Sequence, residues 1–112
     1  FDDVKDNFTI MKEEPFGPLV PILTFKTFDE VIERANDNDL GLCSYLYTNS
    51  MDKAHIGSEK LESGTVAVNT GVVALAEAPF GGIKQTGYGR EGGSGAIKDY
   101  LNVKYTHMGL KI

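Results

Sequence analysis

The chain has 112 residues, 41% of them apolar, with 11 Lys and Arg against 16 Asp and Glu for a net charge of −5, which predicts one compact domain with its own core rather than two. That charge has the wrong sign for a surface that gathers phosphate backbones by counterion release, so nucleic acid is not an expected partner. The longest uninterrupted apolar run, Val72 to Ala76, is five residues, whereas a membrane-spanning helix needs roughly twenty.

The acids crowd into the first third: residues 1–42 carry ten acids and four bases, residues 43–112 six and seven. The opening Phe1-Asp-Asp-Val has neither an initiator Met nor the basic-then-apolar stretch of a signal peptide, and the expectation is that something upstream is missing. Glu13-Glu14-Pro15-Phe16-Gly17-Pro18 is the first segment with chemistry in it. A carboxylate can accept two hydrogen bonds from vicinal ribose hydroxyls, and a ring held at a rigid turn can pack on a flat heterocycle, which together would make half of a nucleotide site. Taken alone, two surface acids ahead of a turn are the favoured reading. Val20 to Phe25 is apolar and β-branched after Gly17-Pro18, and predicts a buried strand. Thr27-Phe-Asp-Glu30 fits a capping box, in which Glu30 reaches back to the cap's own amide. The helix it opens places Phe28, Val31, Ile32 and Ala35 on one stripe and ends at Asn36-Asp-Asn-Asp39 and Gly41.

Cys43 to Tyr47 is short and aromatic-rich, which favours a second strand. Asn49 or Ser50 can cap a second helix with Ala54 and Leu61 on one face, closed by Gly64, and Thr65 to Val68 reads as a third strand. Strands alternating with helices of about ten residues predict an α/β fold of right-handed β-α-β units on a mainly parallel sheet. Cys43 is the single cysteine, so no intramolecular disulfide is possible and a reducing compartment, by default the cytoplasm, is expected. Its apolar neighbours favour a packed thiol over a nucleophile. His55 and His107 have no second ligand at metal spacing, so no metal site is expected.

Nine of the thirteen glycines fall between Gly64 and Gly95, which predicts loop. Within it, Pro79-Phe80-Gly81-Gly82 offers a ring that lines a pocket or plugs a loop. Gly87-Tyr-Gly89-Arg-Glu-Gly92 matches the dinucleotide fingerprint in letters, yet that motif needs a strand running into the glycines and a helix leaving them. No strand signal precedes it, so a loop is favoured over an independent nucleotide-binding domain. Ser94 is a possible cap for a short helix from Ile97 to Leu101. Val103 to His107 alternates apolar and polar residues as a half-exposed strand, an open edge that needs a partner.

Taken in order, Glu14-Pro-Phe16-Gly-Pro18, Asn36-Asp37, Asp39-Leu-Gly-Leu42, Gly64-Thr-Val-Ala-Val-Asn69, Pro79-Phe-Gly-Gly-Ile-Lys84 and Gly87-Tyr-Gly-Arg-Glu91 resemble the C-terminal portion of the aldehyde dehydrogenase superfamily. Asn69-Thr-Gly71 and Lys98 to Tyr105 are most similar to the succinate-semialdehyde dehydrogenase branch. The resemblance implies a parent enzyme that oxidises an aldehyde to its acid with NAD or NADP, through a cysteine thiolate and a water-activating glutamate that would both lie upstream. It assigns no catalytic residue to this chain. It implies that Glu14 contacts the nicotinamide ribose, Phe16 flanks the nicotinamide ring and Phe80 lines the aldehyde tunnel. It also implies residues 1–100 as part of a catalytic domain, and residues 101–112 as a strand and tail through which a homo-oligomer forms. Ala74 departs from the serine that often helps hold the substrate carboxylate in that branch. The competing expectation is a non-catalytic assembly module on the same scaffold.

Overall fold

The computed structural model describes residues 1–111. Thr27 starts the first helix, α1 (Phe28–Asn36), its hydroxyl accepting from the Glu30 amide at 3.2 Å. Glu30 reaches back to the Lys26 amide at 2.8 Å, one residue before the cap rather than to the cap's own N–H. That backbone bond holds the Glu30 carboxyl below its ordinary range. On the opposite turn Arg34 donates to Thr24 O at 2.8 Å and pairs with Asp6 at 2.7 Å, fastening the N-terminal segment to the helix.

After α1 come β1 (Leu40–Gly41), β2 (Cys43–Leu46), α2 (Met51–Lys60), β3 (Thr65–Val68) and β4 (Ile83–Lys84). The predicted β-α-β unit is present: β2 and β3 pair in parallel from Cys43↔Thr65 to Leu46↔Val68, with α2 as the crossover. Ser50 is the cap of α2, accepting from the Lys53 amide at 3.3 Å. Gly57 is buried where a larger residue would collide with Leu46 and Phe28, so a missing side chain is what lets α2 sit on both β2 and α1.

The class is α/β, but the single sheet expected from the sequence is two separate pairs, parallel β2-β3 and antiparallel β1-β4. Val20 to Phe25 is not a strand: besides the Arg34 side chain on Thr24 O, its backbone bonds to Phe1, through Phe1 N to Val20 O at 2.9 Å and Ile22 N to Phe1 O at 2.8 Å. Val103 to His107 is likewise without a ladder, and fully exposed. β-propensity creates a strand only where a run of another backbone lies alongside, and among the described residues Val20 to Phe25 has the single residue Phe1 beside it and Val103 to His107 has none. The expected short helix near Ser94 is a 3-10 turn, Ala96–Tyr100, entered from Gly95 with no side-chain cap.

The compact domain with its own core is also corrected. Only Ile32 and Ala67, 7% and 5% exposed, are buried apolar residues among those described. The radius of gyration is 19.6 Å and the extents are 78 × 33 × 23 Å, against about 13 Å for a compact chain of this length. An α/β core needs helices on both faces of its sheet, whereas two helices here serve four short strands. Val20, Ile22, Phe25, Leu75 and Tyr105 therefore stay at the surface. No helix among the described residues is long and apolar enough to cross a membrane.

Candidate functional site

The site is built around the ridge where β1 meets β4. Leu40 pairs with Lys84 and Gly41 with Ile83. The ridge is extended by Gln85 N donating to Asp39 O at 2.9 Å and by the Thr86 hydroxyl accepting from Gly41 N at 2.8 Å. Two clefts share this wall. One, about 360 Å³, is lined by Glu14, Cys43 and Ser63 together with Leu42 and Thr86. The other, about 460 Å³, is lined by Phe80, Arg90, Asp99 and Tyr100, again with Leu42 and Thr86.

Phe80 is half-buried and held by a two-residue antiparallel bridge to Glu91, with both N–H···O bonds at 2.8 Å. Its ring also faces a shallower depression of about 300 Å³ lined by Ala74 and Leu75. Beyond the bridge, Arg90 donates to Gly82 O at 2.8 Å and to Gly89 O at 2.7 Å, closing the loop on itself. Glu14 and Phe80 thus line neighbouring clefts across one wall. Phe16 is placed differently: it is 93% exposed and is not among the residues lining the Glu14 cleft.

Cys43 lies in the Glu14 cleft, a placement its sequence neighbours did not suggest. Burial pushes its thiol up from the ordinary range, which depletes thiolate at neutral pH and runs opposite to the activation a nucleophile needs. His55 is exposed and 3.7 Å from Glu59 one helical turn on, as a surface histidine. Among the described residues no three His, Cys, Asp or Glu side chains converge on a metal position.

The glycine run forms a loop, as expected, although a strand does come before it, contrary to expectation: β4 ends at Lys84, three residues ahead of Gly87. Gly87, Gly89 and Gly92 have φ of 108°, 99° and 68°, and the next element is the 3-10 turn at Ala96, so no helix aims its amides at a phosphate.

Sequence reasoning missed Lys84 and Asn69 as individuals. Both have a positive φ of 55°, a conformation that costs a non-glycine residue about 1–3 kcal/mol unless its surroundings impose it. Asn69 extends the β2-β3 pairing with its side chain, accepting from Thr48 N and donating to Thr48 O, each at 2.9 Å. The Lys84 ammonium donates to the carbonyls of Asn36 and Asn38, both at 2.9 Å, and pairs with Glu62 at 2.6 Å. Asn36 in turn donates to Lys60 O at 2.8 Å and accepts from Glu62 N at 2.9 Å. The ends of α1 and α2 are tied to β4 through these two side chains, and no spacing rule announces that.

The aldehyde dehydrogenase family model matches residues 1–106. Among curated proteins, the chain is 46% identical over 108 residues to the succinate-semialdehyde dehydrogenase [NADP(+)] GabD of Escherichia coli, covering 96% of the chain and 22% of that protein. It is 52% identical over 104 residues to retinaldehyde dehydrogenase 3 of Rattus norvegicus, covering 93% of the chain and 20% of that protein. Among solved structures, the NAD+ complex of an aldehyde dehydrogenase from Bacillus cereus superposes with a TM-score of 0.89 at 48% identity, covering 92% of the chain and 21% of that structure. The chain therefore spans about a fifth of the length of the relatives it matches.

Proposed function

Because this chain belongs to the aldehyde dehydrogenase family, we propose that it furnishes the C-terminal wall of a cavity in which an NAD- or NADP-dependent enzyme oxidises an aldehyde to its carboxylic acid. The observation that carries this reading is the shared wall of Leu42 and Thr86, with Glu14 in one adjoining cleft and Phe80 in the other. An open cleft with one carboxylate in it fits the ribose of a nicotinamide nucleotide. Glu14 accepts from the ribose hydroxyls, Phe16 packs beside the nicotinamide ring, and Phe80 lines the passage for the aldehyde. When bound, the nicotinamide supplies the acceptor for the hydride that leaves the aldehyde carbon. An exposed Phe16 suits this role, since a ring that contacts cofactor must not be spent on its own core.

In this reading the nucleophile and the water-activating carboxylate belong to the remaining part of the enzyme. Residues 1–100 complete its catalytic domain and residues 101–112 form its oligomerisation strand and tail, of which Ile112 lies outside the described residues. The location proposed is the cytoplasm, in keeping with the single cysteine. The substrate proposed is succinate semialdehyde, on the likeness of Asn69-Thr-Gly71 and Lys98 to Tyr105 to that branch. Ala74 beside Phe80 supplies no hydroxyl for a substrate carboxylate, so an apolar aldehyde is the informative competitor. The test is an NAD- and NADP-linked assay with both aldehydes. The intact enzyme carrying this segment turns over succinate semialdehyde with the higher kcat/KM, and residues 1–112 alone give no rate above blank. Turnover by the 112-residue chain would place the chemistry inside it and overturn the reading.

The exposed, ladder-free Val103 to His107 segment favours assembly as a second property. The intact enzyme is expected to run as a dimer or larger by size-exclusion with light scattering, and to shift toward monomer when residues 101–112 are removed. A clean monomer before truncation would remove both the oligomer and the assembly-module alternative.

A further inference from the structure

The ridge that separates the two clefts has no covalent reason to stay where it is. β1 and β4 are two residues each, too short to fix a position by their own ladder. Their register depends on what grips them from outside. Lys84 sits in β4 opposite Leu40, and its side chain leaves the pair to reach the last carbonyl of α1, at Asn36, the carbonyl of Asn38 just beyond the helix and the carboxylate of Glu62. Carbonyls at a helix C-terminus carry the negative end of the backbone dipole, where a cation is favoured. Three oxygens at 2.6 to 2.9 Å satisfy all three ammonium protons, and the positive φ of Lys84 directs the chain onward to Gln85 and Thr86, which hold Asp39 and Gly41.

We infer that Lys84 is a positioning residue: its ammonium locks the β1-β4 ridge against the end of α1 and so sets the spacing between the cofactor cleft of Glu14 and the aldehyde cleft of Phe80. This rests on the function proposed above. Lys84 lines neither cleft; it acts through Thr86 and Leu42, which line both. Loss of the ammonium removes its donor from Asn38 O and the Glu62 carboxylate, leaves Asn36 O with the Asn38 amide alone, and frees the ridge to shift. The aldehyde side depends on the ridge through Gly81 and Gly82, which join Phe80 directly to β4.

The test uses Lys84→Met, which keeps the aliphatic stem, and Lys84→Arg, which keeps the charge, in the intact enzyme. Hydrogen exchange at the Gly41 and Gln85 amides should quicken at least tenfold in Lys84→Met. With rates corrected to titrated active sites, KM for the aldehyde should rise five- to twentyfold and KM for the cofactor should rise with it, because Leu42 and Thr86 line both clefts, and Lys84→Arg should recover much of the loss. Unchanged exchange at both amides overturns the lock. Quickened exchange with an unchanged aldehyde KM overturns the positioning role, since a merely structural lysine would lower the active fraction and nothing else. If Lys84→Met does not fold, Glu62→Ala removes one of the three partners and is judged by the same two readouts. A wild-type enzyme that oxidises no aldehyde sinks the function itself, a result separate from the exchange rates.

Discussion

Glu14→Gln in the intact enzyme raises KM for the nicotinamide cofactor by about 10- to 150-fold. The estimate follows from the loss of charge-assisted acceptance, about 1.5–3 kcal/mol for hydrogen bonds to an ionised group, at about 1.4 kcal/mol per tenfold change. Gln fills the same space, so the cleft it shares with Leu42 and Thr86 keeps its shape. What changes is the acceptor set: a carboxylate presents two oxygens to two vicinal hydroxyls, whereas an amide presents one oxygen and turns a donor toward the second. The aldehyde KM should move much less, because Phe80 lies across the wall in the other cleft. Glu13→Gln is the internal control. Glu13 is the adjacent acid, also exposed, and is not among the residues lining the Glu14 cleft, so general loss of negative charge would affect both variants alike. Steady-state cofactor constants within twofold of wild type for Glu14→Gln, or an equal effect from Glu13→Gln, would end the ribose assignment.

What could be read from the residues was local. Thr27 announced the first helix start and Asn49-Ser50 the second, with Ser50 the cap of the two, because capping is a contact between neighbours in sequence. The β2-α2-β3 unit was legible for the same reason, since strand, crossover and strand follow one another within about thirty residues. Failures came where an element depends on a distant backbone. Val20 to Phe25 and Val103 to His107 have strand sequences, but among the described residues no ladder forms beside them. The compact core failed likewise: 41% apolar content says there is material to bury, not that this stretch supplies both layers. At the site, Glu14, Phe16 and Phe80 were chosen by resemblance, and the geometry adds which clefts Glu14 and Phe80 line. Lys84 and Thr86 were invisible because their partners, Asn36, Asn38, Glu62 and Gly41, lie 22 to 48 residues away. Side chains that bridge elements leave no periodic trace.

Gly64→Ala tests how much the site depends on one such close approach. Gly64 precedes β3 and donates its amide to Gly41 O at 3.0 Å, so its backbone is anchored to the ridge. A Cβ at this position would run into the carbonyl of Gly81 and crowd the α-carbon of Gly82. Overpacked cores relieve such a clash by rotating a side chain, at a typical cost of 1–3 kcal/mol. Here the obstacle is main chain on both sides, so relief requires moving the Gly81-Gly82 segment, and the expected loss is about 3 kcal/mol, at the upper end of that range. The displaced segment lies between the Phe80-Glu91 bridge and β4, so the aldehyde cleft should deform along with the loss of stability. Chemical denaturation of the intact enzyme measures the first, and the aldehyde KM the second. Gly95→Ala is the matched control, since Gly95 has an ordinary helical φ of −85° and nothing within 4 Å of an added Cβ. Trimming backbone freedom at such a site is neutral or stabilises by about 0.4–1 kcal/mol. Equal midpoints for the two variants would mean that β3 and the Gly81-Gly82 segment do not pack this closely. The shared wall would then lose its support from that side, because Gly64 is what joins Gly41 of the ridge to the Gly81-Gly82 segment next to Phe80.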